Sequence, residues 1–142
     1  ISADKPVRWG KLFGAGLALA ITEASQQHRG PILVALSNPR QLQVLAQEIG
    51  FFLGNSKSEQ TWLFPDWETL TYDIFSPHQE ITSARLRLLA TLPQLENGII
   101  LTATETLLQR LPPLDYVLGH SFALKTGEQV DIHALRSRLS HV

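Results

Sequence analysis

The chain has no cysteine. That absence removes disulfides, thiol nucleophiles and thiolate metal sites together, and it fits a reducing compartment. An excess of charge is also missing: 12 Lys and Arg stand against 13 Asp and Glu, a formal net charge of −1. The overall balance therefore draws the chain toward neither nucleic acid phosphates nor an anionic membrane, and any such binding needs a local patch. Long apolar runs are absent as well. The most apolar early stretch, Leu12 to Ala24, is interrupted by Gly14, Gly16, Thr22 and Glu23, short of the roughly 20 apolar residues that span a bilayer. With no secretory signal in view, the sequence points to a cytoplasmic protein without membrane contact. It opens at Ile1 without Met and stops at Val142 as a helical pattern runs out, which reads as a piece of a longer protein.

Catalytic signatures are equally scarce. The five histidines, at 28, 78, 120, 133 and 141, never fall into H-E-x-x-H or another short ligand spacing, and no Ser sits in a G-x-S-x-G elbow. Glycines 10, 14 and 16 invite comparison with a phosphate loop. A Walker loop needs Lys and then Ser or Thr after its last Gly, because the Lys neutralises the outer phosphates and the hydroxyl holds Mg²⁺. Here Gly16 is followed by Leu17 and Ala18, and no apolar strand precedes the glycines, so the dinucleotide pattern fails too. Gly14 and Gly16 read as a degenerate loop at a helix start.

The remainder is ordinary globular sequence, 44% apolar and 18% charged, enough for one domain with a real core. Apolar spacing predicts a helix from Lys11 to His28 with Phe13, Leu17, Ala20, Ile21 and Ala24 on its inner face, ended by Gly30-Pro31. Ile32 to Leu36 is a continuous β-forming run that predicts a parallel strand covered on both faces. Asn38-Pro39 then predicts a capped helix with Leu42, Leu45, Ile49 and Phe52 inward and Gly54 as its exit. Thr61 to Phe64 reads as a second strand. Ser76 and Gln79, with Pro77 between them, predict a capping box for a third helix whose inner face is Ile81, Ala84, Leu88 and Leu92, leaving Arg85 and Arg87 wet. Gly98 to Thr102 is a third strand, followed by a short helix from Thr104 to about Leu111, stopped by Pro112-Pro113. This alternation predicts an α/β fold, a three-layer parallel sheet with flanking helices. Pro112 to Gly119 reads as a linker, and a strand at 121–125 with a helix over 131–139 opens a second unit.

Most of the chain's individuality lies where the second strand runs toward the third helix, with Trp62 in the strand and Trp67, Tyr72 and Phe75 crowding the short linker after it. Trp67, Tyr72, Phe75, His78, Arg85 and Arg87 form the candidate interaction surface. Aromatic rings beside arginines can stack on bases and meet phosphates, which makes a direct DNA-binding module one reading. A linker folded back so that it buries its own rings is the other.

The run DWETLTYDIFSPHQEITSARLRLLATLPQL at 66–95, with ILTATETLLQRLPP at 100–113, resembles the N-terminal region of bacterial transcription-repair coupling factors. The likeness extends from LFGAGLALAITEA near the start to ALRSRLSHV at the end. That region is similar to the excinuclease B subunit, whose first domain is a helicase-like, P-loop NTPase-like α/β unit interrupted by an inserted domain. The resemblance implies that residues 1–115 are the α/β unit with a degenerate nucleotide loop. Residues 116–142 would begin the inserted α+β domain that receives the excinuclease A subunit. It further implies a non-catalytic scaffold without cofactor in this stretch. ATP and Mg²⁺ would be used by motor domains downstream, and RNA polymerase and DNA would be engaged there too. Other domains of the parent chain are expected as partners.

Overall fold

A computed structural model describes residues 6–54, 60–69, 76–120, 126–127 and 129–140. They fall into two compact units, Ile1–Arg110 and Leu111–Val142. The first is an α/β unit with a small three-stranded parallel sheet and helices on both of its faces.

Helix α1 spans Gly16–Gln27, starting five residues later than the periodicity predicts. Lys11 and Gly14 both adopt positive φ, 58° and 54°, and this turn breaks the helical path before Gly16. Phe13 consequently lies outside the helix and is 83% exposed instead of facing the core. Ala18, Ile21 and Thr22 are the buried residues of α1, with the Thr22 hydroxyl donating to Ala18 O at 2.8 Å.

Strand β1 is Pro31–Leu36. Helix α2, Arg40–Leu53, begins as the sequence predicts, because Asn38 Oδ1 accepts from Arg40 N at 3.0 Å while Pro39 already has helical dihedrals. It buries Leu42, Leu45, Ile49 and Leu53, with Phe52 packed at the margin. Gly54 ends it at φ 76°, a value glycine adopts without a Cβ penalty. Strand β2 is Thr61–Phe64.

Helix α3 spans Gln79–Thr91, and a 3-10 turn over Leu92–Gln94 carries Pro93. The expected Ser76–Gln79 capping box is replaced by a cap two residues further on. His78 is extended, and its Nδ1 accepts from Glu80 N at 3.4 Å. The inner face is also rotated from the one predicted. Arg85 and Leu88 are buried, Ile81 and Leu89 half-buried, and Ala84 and Leu92 exposed.

Strand β3, Gly98–Ala103, is central: the order is β1-β3-β2, all parallel, with Ile32 opposite Ile99 and Thr61 also opposite Ile99. Every residue of β3 is buried. Ile99, Leu101 and Ala103 face α1 and α2 in one apolar cluster, and Ile100 faces α3 with Phe64 and Leu88 in another. Complete burial of a side chain such as Ile49 or Leu101 contributes about 1.5–3 kcal/mol. The expectation that β1 is covered on both faces is not met, because β1 is an outer strand and only Ile32, Val34 and Leu36 turn inward.

Helix α4 is one turn, Thr104–Leu107, and stops short of the predicted Leu111. In the second unit, Leu114–His120 is helix α5 where a linker was predicted. The proline pair does not end α4, which has already stopped at Leu107, but it does precede the start of α5, since a missing N–H costs nothing in a first turn and Pro113 O accepts from Val117 N at 3.1 Å. Helix α6 is Ile132–Ser140, with Asp131 Oδ1 accepting from His133 N and Ala134 N at 2.8 and 3.2 Å. The predicted strand at 121–125 lies outside the described residues.

Candidate functional site

The most unusual chemistry sits where β2 leaves the sheet. Phe64 ends the strand, Pro65 follows, and Arg85 on α3 rises toward them. Arg85 was expected to be wet, yet it is only 2% exposed, the largest fully buried side chain of the described residues. Its position explains this. Residue 85 is four after Ile81 and three before Leu88, so it lies on the stripe that α3 turns to the sheet.

The guanidinium lies over two aromatic rings, with its central carbon 4.2 Å from the Phe64 centroid and 4.2 Å from that of Trp67. One nitrogen, Nη1, donates to Pro65 O at 2.6 Å. Planar arginine suits this position because the delocalised cation can stack on rings while its edge donates. Burial pulls the Arg85 pKa below the usual arginine range, and the Asp66 carboxylate opposes that shift.

Asp66, beside this cation in the linker, is bonded to the segment that follows β3. Its Oδ1 accepts from Thr106 Oγ1 at 3.4 Å and from Gln109 Nε2, and its Oδ2 accepts from Glu68 N at 3.3 Å. Glu68 is thereby held at φ 57°, a left-handed conformation that disfavours a residue with a Cβ. Thr102 adds a bond across the strands, donating from Oγ1 to Phe64 O at 3.1 Å. The start of the linker is thus tied to α3 through Arg85 and to the segment after β3 through Asp66.

The candidate surface residues accordingly separate. Trp67 and Arg85 come together as a packed pair. Arg87, two residues on, is exposed, with its guanidinium 5.6 Å from the Trp62 centroid. His78 is exposed and serves as the helix cap, an acceptor role that suits a neutral ring. Tyr72 and Phe75 lie outside the described residues. Sequence reasoning missed Asp66, Thr106 and Gln109 as a set, because the separations of about 40 residues become contacts only through the β2–β3 pairing. The available signal was Asp66 two residues past the end of a strand, directly after Pro65.

At the other end of the sequence, Gly14 and Gly16 sit where α1 begins. The described residues before them form no strand, and Ala15 provides no side-chain cap. Ala18, in the region where a Walker loop carries its hydroxyl, is wholly buried in the α1–α2 core. Among the described residues no group of three His, Asp or Glu could hold a metal ion, and no helix is long and apolar enough to cross a membrane.

No protein-family model matches the chain. Individual proteins do. The transcription-repair-coupling factor of Escherichia coli K12 is 35% identical over 130 residues, and that of Haemophilus influenzae is 38% identical over 130, in each case 92% of this chain. That of Staphylococcus aureus USA300 is 23% identical over 119 residues, 84% of the chain. The chain spans only 11% of the length of the first two and 10% of the third. On the strength of the two 92% matches, this chain belongs to the transcription-repair-coupling factor family, as a counterpart of its N-terminal region.

Proposed function

We propose that this stretch is the non-catalytic adaptor end of a transcription-repair coupling factor, built on an excinuclease-B-like scaffold whose nucleotide loop has degenerated. In this reading the parent protein is an ATP-driven DNA translocase that displaces stalled RNA polymerase. The N-terminal region then offers a docking surface to the excinuclease A subunit, and residues 116–142 begin the domain that carries it. The observation that carries the reading is the start of α1. Leu17 and Ala18 replace the Lys and hydroxyl that phosphate binding requires, and Ala18 is spent on the apolar core. Similarity to transcription-repair-coupling factors supports the repair-factor part of the reading.

Incubation of the chain with labelled ATP and Mg²⁺ tests the catalytic half of the proposal. The expected result is no saturable binding and no turnover above a heat-denatured control; either one overturns it. Pull-down with the purified excinuclease A subunit tests the adaptor half, using the full-length protein so that the docking domain is complete.

A further inference from the structure

We propose that the Asp66 carboxylate couples two places where the chain leaves the sheet of the first unit, the linker turn at Glu68 and the exit at Gln109, so that displacing one releases the other. The inference goes beyond the adaptor reading and does not depend on it. Each end is a defined contact. Toward the linker, Asp66 Oδ2 accepts from Glu68 N at 3.3 Å and holds Glu68 at φ 57°, a conformation that a residue with a Cβ keeps only while its surroundings impose it. Toward the exit, Oδ1 accepts from Gln109 Nε2 and, at 3.4 Å, from Thr106 Oγ1. Gln109 is the last half-buried residue before the boundary between the units at Arg110 and Leu111, and Arg110 to Leu114 are exposed.

The bridging group makes the two ends dependent. A carboxylate carries its two acceptor oxygens in one rigid plane. A rotation that lets Oδ1 follow its donors therefore carries Oδ2 away from Glu68 N. Of the two donors on the exit side, Thr106 has little freedom, being 1% exposed in the one-turn helix that follows β3 directly. Gln109 is the donor that can move. Its Oε1 is buried and, among the described residues, has no hydrogen-bond partner, so the bond from Nε2 to Asp66 is what fixes the side chain. Two independent anchors would be lost one at a time; a shared carboxylate loses both together.

Hydrogen exchange in the full-length protein, read on peptides that contain the Glu68 amide, tests the coupling. Gln109→Ala is expected to speed exchange at Glu68 by about 5-fold, the factor that one hydrogen bond is worth, although the bond it removes is to Asp66. Thr106→Val, which takes away only the hydroxyl, is expected to act in the same direction and more weakly. In an Asp66→Ala background, where Glu68 is already released, Gln109→Ala is expected to add nothing at Glu68, the non-additivity of residues that share a partner. Leu108→Ala, next to Gln109 in the chain but 85% exposed, leaves Glu68 as it was. Unchanged exchange at Glu68 in Gln109→Ala overturns the proposal. So does an effect of the same size in the Asp66→Ala background, or a speeding shared equally by the α2 amides, which would be a general loss of stability. ATPase and pull-down results of either sign leave these outcomes untouched.

Discussion

The two faces of the sheet solve the same packing problem with different chemistry. On the α1–α2 side every buried residue of the cluster is aliphatic, from Ala18 and Ile21 through Ile49 and Leu53 to Leu101. On the α3 side a smaller apolar cluster of Phe64, Leu88 and Ile100 is extended by a buried cation, the Trp67 ring and the Asp66 hydrogen bonds. An aliphatic face tolerates exchange among residues of similar volume. A polar one depends on each partner, because a buried group left without its match costs the full desolvation penalty. The first face gives the unit its core, and the second fixes where the linker leaves it.

Arg85→Ala should break that contrast most severely. It removes two ring contacts and a charge-assisted hydrogen bond and leaves a void, for a loss of about 4 kcal/mol by urea unfolding. On the aliphatic face, Ile49→Ala should cost about 3 kcal/mol, and Ile49→Leu less than about 1.5. The faces differ most clearly in their conservative substitutions: Arg85→Lys keeps the charge but loses the planar stack, and should still cost about 2 kcal/mol. Asp66→Ala should cost about 1–2 kcal/mol and speed amide exchange at Glu68, since it frees the Thr106 and Gln109 donors and the turn together. Smallest of all, Arg87→Ala should change stability by less than about 0.5 kcal/mol. If Arg87 nevertheless contributes to DNA contact, retention on single-stranded DNA that weakens with salt in the parent sequence should fall in that variant.

The aliphatic face was the legible one. Leu42, Leu45 and Ile49 recur at helical spacing, and the short β-rich runs place all three strands within a residue or so. The polar face was hidden because periodicity counts apolar residues, and the stripe on α3 has an arginine in its middle. Reading Ala84 and Leu92 as inward follows from that omission, although Ile81, Arg85 and Leu88 have the spacing of a single face. The exposure of Leu33 was not readable for a different reason. A run such as ILVAL reports the burial its strand is suited to, and in this chain β1 lies at the edge of the sheet.

The central place of β3 has a consequence in time. Neither β1 nor β2 pairs with the other; both wait for β3, which follows β1 by about 60 residues. At a synthesis rate of about 5–20 residues per second, the β1 segment is extruded roughly 3 to 12 s before its first partner exists. During that interval the nascent chain can form helices but not the β1-β3-β2 sheet, so PILVAL waits without its in-register partner.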